Sequence, residues 1–341
     1  MRISLRQTAL CTTLSISAPL VATPAVSGAR LHATTARTAM QDTRRAAHMA
    51  QFDLSSPKVD LDQIQRGGPP KDGIPALNNP KRESLNASSF SPASRVIEVV
   101  IAGDAVAYPI NILNWHEIVN DVVGDTPIAI VYCPLCDSVS VMRRQLTDDA
   151  GATRTLEFGV SGLLLNSNVV MFERATNALW SQVDMRAITG PDAGRRLAFL
   201  PFRMTTLAAF RAAHPRGQIL SRDTGHARNY DVNPYGSYLA NPDAVFSKFD
   251  YDDKLPPKTL GVGVFVKEQA TFIPMDALGE PGSRRVFDTA AGAVTLERTK
   301  EGVAFDALPK GARVMQTFYH SWSAFHPSTR IVKAADLKDA N

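Results

Sequence analysis

Residues 131–136 read VYCPLC, and this pair of thiols separated by two residues is the stretch best equipped for chemistry. Thiolate sulfur is a soft donor suited to copper(I) or zinc, and two intervening residues let both sulfurs face one ion. A structural zinc site wants four ligands, and the chain has no second CxxC. Further ligands must come from distant His or carboxylate groups, and His116 is the nearest in sequence. The metal candidates are therefore His116, Cys133 and Cys136, with copper or zinc as the ion. A redox reading needs Cys133 acidified, as at a helix N-terminus. An apolar strand leads into the pair, which allows that geometry, but SVSVM after it reads as another strand. A third reading is a local disulfide stapling a strand-to-strand turn. All three readings stand at this point, and the leading expectation is a metal-binding protein, an oxidoreductase if the ion is copper, with a thiol–disulfide enzyme or a disulfide-stapled ligand binder as the alternatives.

Other candidates lie nearby. In NILNWHEIVND, residues 111–121, Ile112, Trp115, Ile118 and Val119 fall at helical spacing. On such a helix His116 and Glu117 point about 100° apart. Asn120 stands where the second His of an H-E-x-x-H zinc motif would be, which excludes that class. Glu117 and Asp121 are the candidate bases. FGVSGLLLNSN supplies Asn166 and Asn168, and ALWSQ supplies Trp180 and Gln182. Together these could hold a polar organic ligand by stacking and amide bonds, with the cysteines as a disulfide. The Gly-poor, Lys-free loop is no P-loop, and Ser161 lacks the frame of a hydrolase elbow. DVNPYGSY reads mainly as a turn. His226 is a possible late ligand, whereas His214, His320 and His326 sit near aromatic helix ends and read as packing.

The elements that must position these groups are mostly strands. VIEVVIAGDAVAYPI predicts a hairpin around Gly103-Asp104. TPIAIVYC and NVVMFER predict buried strands, SVSVMRRQL and TRTLEFGVS a pair, and MTTLAAFRAAH a short helix. Residues 97–113 align without gaps to 262–278, matching Val99, Ala105, Pro109 and Leu113 to Val264, Ala270, Pro274 and Leu278. AAFRAAHP and SAFHP echo each other later in the same order. The expected fold is β-rich α+β, with two unequal degenerate pseudo-repeats, about 97–215 and 262–327, around a shared core. The second has no counterpart of the cysteines.

Composition sets the frame. The 341 residues are 44% hydrophobic and 21% charged with a net charge of +4, a globular balance without the basic, aromatic-interleaved stripe of a nucleic-acid binder. Arg2 and Arg6, a mildly apolar run and small residues at Ser27 and Ala29 predict a leader over 1–29 and an exported protein, periplasmic or extracellular; a mitochondrial transit peptide is the alternative. No later run is long enough to span a bilayer. Residues 30–71 read as a flexible tether, 72–330 as the domain and 331–341 as a tail. The oligomeric state is not legible. Losing the leader would leave Cys133 and Cys136 as the only thiols, in an oxidising compartment.

DGIPALNNP, AVAYPINILNWHEIVND, CPLC, FGVSGLLLNSNVVMFERATNALWSQ, AITGPDAGRRL and NPYGSY, in that order over about 72–330, resemble the DUF3179 family. The resemblance implies an exported or membrane-associated protein and carries no catalytic assignment. Members often have another small residue at the second cysteine, which makes Cys133, beside His116 and Glu117, the more general feature. The leader is expected to be absent from the mature chain. Intact-mass measurement on protein from the producing cell checks this, and a mass that includes Met1 to Ala29 would refute it.

Overall fold

The computed structural model describes residues 40–246, 251–305 and 308–340. The leader and Cys11 lie outside them. Of the first compact unit, Met1–Arg44, residues 40–44 are helical. The account that follows concerns the second unit, Arg45–Asn341.

The expected hairpin forms, an Ala102-Gly103 turn joining β1 (Arg95–Ile101) to β2 (Asp104–Pro109). Pro109 ends β2, having no N–H for the ladder, and opens helix α1 (Ile110–His116). The helix stops there. Glu117 takes φ 56°, and β3 (Ile118–Val123) begins at once. The helical spacing of Ile118 and Val119 was thus misleading: β-branched residues pack well on a pleated surface, and this run pairs fully with β4 (Thr126–Cys133). β5 (Ser138–Arg143) completes the meander, Cys133 facing Ser138. A second antiparallel sheet contains β6 (Phe158–Leu165), β7 (Asn168–Glu173) and β8 (Leu179–Ser181). Its β6–β7 turn uses Asn166 and Ser167 at φ 47° and 68°, the positive values that tight hairpin turns demand.

β9 (Arg203–Thr206) returns beside β1, and Thr206 caps helix α2 (Leu207–Ala213) by accepting from the Ala209 amide at 3.1 Å. β10 (Gln218–Leu220) lies parallel to β2. A short helix α3 (Gly236–Ala240) sits in the long connection onward. β11 (Leu260–Val266) and β12 (Gln269–Pro274) form another hairpin, closed by Pro274 and a 3₁₀ turn. β13 (Arg313–Phe318), helix α4 (Tyr319–Phe325) and β14 (Arg330–Ile331) complete that sheet. The spatial orders are β9-β1-β2-β10, inside a nine-stranded sheet, and β13-β11-β12-β14.

Order starts earlier and ends later than the composition suggested. Phe52 and Ile64 are buried, Ile64–Arg66 pairs with β6, and His48 Nε2 lies 2.8 Å from the Ser161 carbonyl. Residues 45–71 are therefore packed rather than a free tether: a few apolar side chains suffice when an uncovered strand edge awaits them. At the other end Val332 is buried, and Lys338–Asp339 pairs with Arg285 and Val286.

Gly263, in the middle of β11, lies directly under the Trp322 indole, which is buried and donates to Thr329 Oγ1 at 2.8 Å. A Cβ at 263 would collide with the ring. Gly263→Ala is expected to destabilise the fold by roughly 1–3 kcal/mol, the usual cost of overpacking, read as a lowered urea midpoint. An unchanged midpoint would mean that the indole has room to move.

Candidate functional site

Pro134 and Leu135 form the tip of the β4–β5 turn, and the Cys136 amide donates to the Cys133 carbonyl at 3.1 Å. Both thiols are free and buried. Three other elements converge on them. The β6–β7 turn places the Ser167 carbonyl 3.0 Å from Cys136 Sγ and 3.8 Å from Cys133 Sγ. The end of β13 grips the turn, with the Phe318 amide donating to the Cys136 carbonyl at 2.7 Å. Helix α4 then brings His320 Nε2 to 3.9 Å from Cys136 Sγ.

The His320 tautomer follows from its second contact. Nδ1 lies 3.0 Å from the Pro257 carbonyl, which can only accept, so Nδ1 carries the proton. In that tautomer Nε2 turns a lone pair toward Cys136, the arrangement of a base beside a nucleophile.

The two thiols are driven apart in acidity. Burial pushes Cys133 well up, helped by its hydrogen bond to Cys136 and by the nearby charges of Cys136 and Glu117. Burial pushes Cys136 the same way, but its hydrogen bonds with Cys133, His320 and Ser321, and the positive charge His320 gains on taking the thiol proton, outweigh it and hold the Cys136 thiol below its usual range. The Ser167 carbonyl works against them, since it can accept from a thiol but repels a thiolate. Three stabilising partners against one carbonyl give the direction. No helix N-terminus contributes, contrary to what the redox reading required of the sequence.

The remaining candidates fall in different places. Both ring nitrogens of His116 are engaged elsewhere, Nδ1 with the Pro75 carbonyl at 2.8 Å and Nε2 with Tyr230 Oη at 2.7 Å. The expected meeting of Cys133 and His116 around one ion is thus not assembled; the helix ends at His116 and the chain reverses at Glu117. His226 packs against His116, ring centroids 5.2 Å apart. Among the described residues no group of three or more His, Cys, Asp or Glu is arranged to hold a metal. Asp121 is spent on Arg82 and on Tyr108 Oη, at 3.1 and 2.8 Å. Trp180 is a core residue against Phe158. Gln182 is structural, its Nε2 donating to the Val131 and Ser138 carbonyls at 2.9 and 3.1 Å. Asn168 ties Ser138 to Ser321, and Asn166 donates to the Ala324 carbonyl at 3.2 Å. The polar residues proposed to bind a ligand instead join the elements around the thiols.

Glu117 does reach the site. It is buried, its carbonyl accepts from the Tyr132 amide at 2.8 Å, and its carboxyl accepts from Tyr235 Oη at 3.0 Å. Tyr238 Oη donates to the Leu135 carbonyl at 2.8 Å, inside the CPLC turn itself. His320, Tyr235 and Tyr238 are thus site residues that the sequence reading set aside as packing and turn. The signal available was NPYGSY, a long motif placing two phenols three residues apart. For His320, 184 positions from Cys136, no local signal exists.

The molecule is thus a β-rich protein with a buried, unequal dithiol at the junction of three sheets. It belongs to DUF3179, a protein family of unknown function, whose model matches residues 71–315. Neither a curated protein nor a solved structure matches the chain.

Burial raises the Glu117 carboxyl to about 7 from 4.5, the Tyr235 hydrogen bond opposing it. The folded protein then holds a proton there that the unfolded chain releases near 4.5. The stability this gives is full below that pH and is lost as pH rises through about 7. Glu117→Gln should abolish that loss. Unfolding free energies from urea titrations at pH 5 and pH 8 should differ less in the variant, by up to about 3 kcal/mol at roughly 1.4 kcal/mol per pH unit. Equal slopes in the two proteins would show that Glu117 is charged throughout.

Proposed function

We propose that the protein is an exported thiol–disulfide exchange protein whose nucleophile is Cys136 and whose resolving thiol is Cys133. The observation that carries this reading is the Cys136–His320 pair, with the second thiol in hydrogen-bond contact. His320 Nε2 takes the proton of Cys136, and the thiolate attacks one sulfur of an external disulfide. The other sulfur leaves and takes that proton. Cys133 then attacks the Cys136 sulfur, its own proton passing to the second departing thiolate. A Cys133–Cys136 disulfide forms, and two electrons have moved to the external disulfide. A leader over residues 1–29 would deliver the chain to a compartment where such partners are oxidised. A copper(I) or zinc ion on Cys133, Cys136 and His320 is the second reading, favoured by the imidazole lone pair facing a thiol.

We also infer that the two four-stranded units arose by duplication. In support, Ile97 faces Met204 as Val262 faces Gln316, and Val106 faces Gln218 as Thr271 faces Arg330. Pro109 and Pro274 close the two hairpins alike. The dithiol would then be an insertion after the first hairpin that recruited its base from the second unit.

Reduced protein mixed with oxidised glutathione is expected to lose two hydrogens by intact mass. Cys133→Ser should accumulate a glutathione adduct at Cys136, Cys136→Ser should not react, and His320→Ala should slow the adduct. No adduct in Cys133→Ser would overturn the assignment. Stoichiometric copper or zinc in the protein as purified would replace exchange by the ion reading.

A further inference from the structure

The dithiol raises a problem of access. Two clefts of about 540 and 490 Å³ open at the ends of the β11–β12 and β1–β2 hairpins, and neither is lined by a cysteine. A partner that reacts with Cys136 needs something to move.

The segment 222–241 is built for that. It carries only short α3 as regular structure and is mostly exposed; of its side chains only Tyr230 is buried. Apolar packing therefore does little to hold it. Hydrogen bonds hold it instead, and four come from one short stretch. Asn111 Nδ2 donates to the Tyr230 carbonyl at 2.9 Å, and Trp115 Nε1 to the Val232 carbonyl at 3.1 Å. His116 Nε2 accepts from Tyr230 Oη at 2.7 Å, and Glu117 accepts from Tyr235 Oη at 3.0 Å. The fifth, from Tyr238 Oη to the Leu135 carbonyl, fastens the segment to the turn between the cysteines. Two cations add to these bonds: Lys258 Nζ stands 3.7 Å from the Tyr238 ring centroid, and the segment's own Arg228 lies 5.8 Å from that of Trp115. Gly225, at φ 80° with open space around it, sits near the start of the segment.

We propose that residues 222–241 are a detachable cover over the dithiol and that Asn111, Trp115, His116 and Glu117 are its latch. The Asn-Trp-His-Glu motif then acts by positioning the cover that decides when the thiols meet a partner. Local opening needs only these polar contacts to break and leaves the sheets intact, so it can occur far below global unfolding. The proposal uses the dithiol as its reporter and does not depend on exchange being its reaction.

The test is the rate at which iodoacetamide alkylates the reduced full-length chain, followed by intact mass. Tyr235→Phe and Tyr238→Phe each remove one hydroxyl that fastens the cover and keep the ring. Each is expected to speed alkylation roughly fivefold, the population change set by one ordinary hydrogen bond, with the urea midpoint lowered by no more than that one bond. Alkylation should depend on urea far more weakly than global unfolding does, and amide hydrogen exchange across 222–241 should be faster than in β4 and β5. Alkylation unchanged in both variants would overturn the proposal, as would alkylation with the full urea dependence of global unfolding. Thiols gated in this way that give no glutathione adduct would leave the cover standing and remove the exchange reading alone.

Discussion

Asp137 is the residue on which the arrangement hangs. It follows Cys136 directly, takes φ 43°, and is nearly excluded from solvent. A buried carboxylate is tolerable only when fully paired. Tyr132 Oη donates to it at 2.9 Å from β4, and Arg95 clamps it in two-pronged fashion at 3.2 and 3.0 Å from β1. Gln316 Nε2 approaches to 3.5 Å from β13. Three sheets thus meet at one side chain beside the thiols. Such bidentate, charge-assisted bonds are directional, so they fix the exit angle of the turn as well as its position. With the exit fixed, the Cys136 carbonyl is presented to the Phe318 amide, and α4 begins where His320 can face the sulfur.

The site makes one thiol acidic by crowding hydrogen-bond partners and a base onto it in a turn between strands. A helix N-terminus would act on whichever cysteine came first, through a field that salt screens. Here the asymmetry runs the other way, because His320 and Ser321 stand on the side of Cys136 while Glu117 stands near Cys133. The Ser167 carbonyl keeps the preference from becoming extreme. A thiolate held too firmly is a poor nucleophile, so a modest opposing dipole would suit the exchange proposed for this sulfur.

Much of this was legible wherever the signal was local. Gly103-Asp104 marks its hairpin, Pro109 and Pro274 mark matching strand ends, and the apolar run into Cys133 is the expected strand. The failures share a cause. Ile118 and Val119 satisfy both helical and strand spacing, and only pairing with β4 decides between them. Phe52 and Ile64 look like stray apolar residues in a tether until the edge of β6 is known. His320 and the tyrosines of NPYGSY reach the cysteines through long-range topology, which residue type and spacing do not encode.

The distance along the chain between Cys136 and His320 also orders events in time. A nascent chain emerges from its N-terminal side, so the dithiol is complete well before the histidine that sharpens it exists. Until β13 and α4 are made and docked, Cys136 is an ordinary thiol without its base. The tuning of the thiol is therefore a late product of synthesis, reached only when the last sheet closes, and a truncated or half-folded chain carries the two cysteines without it.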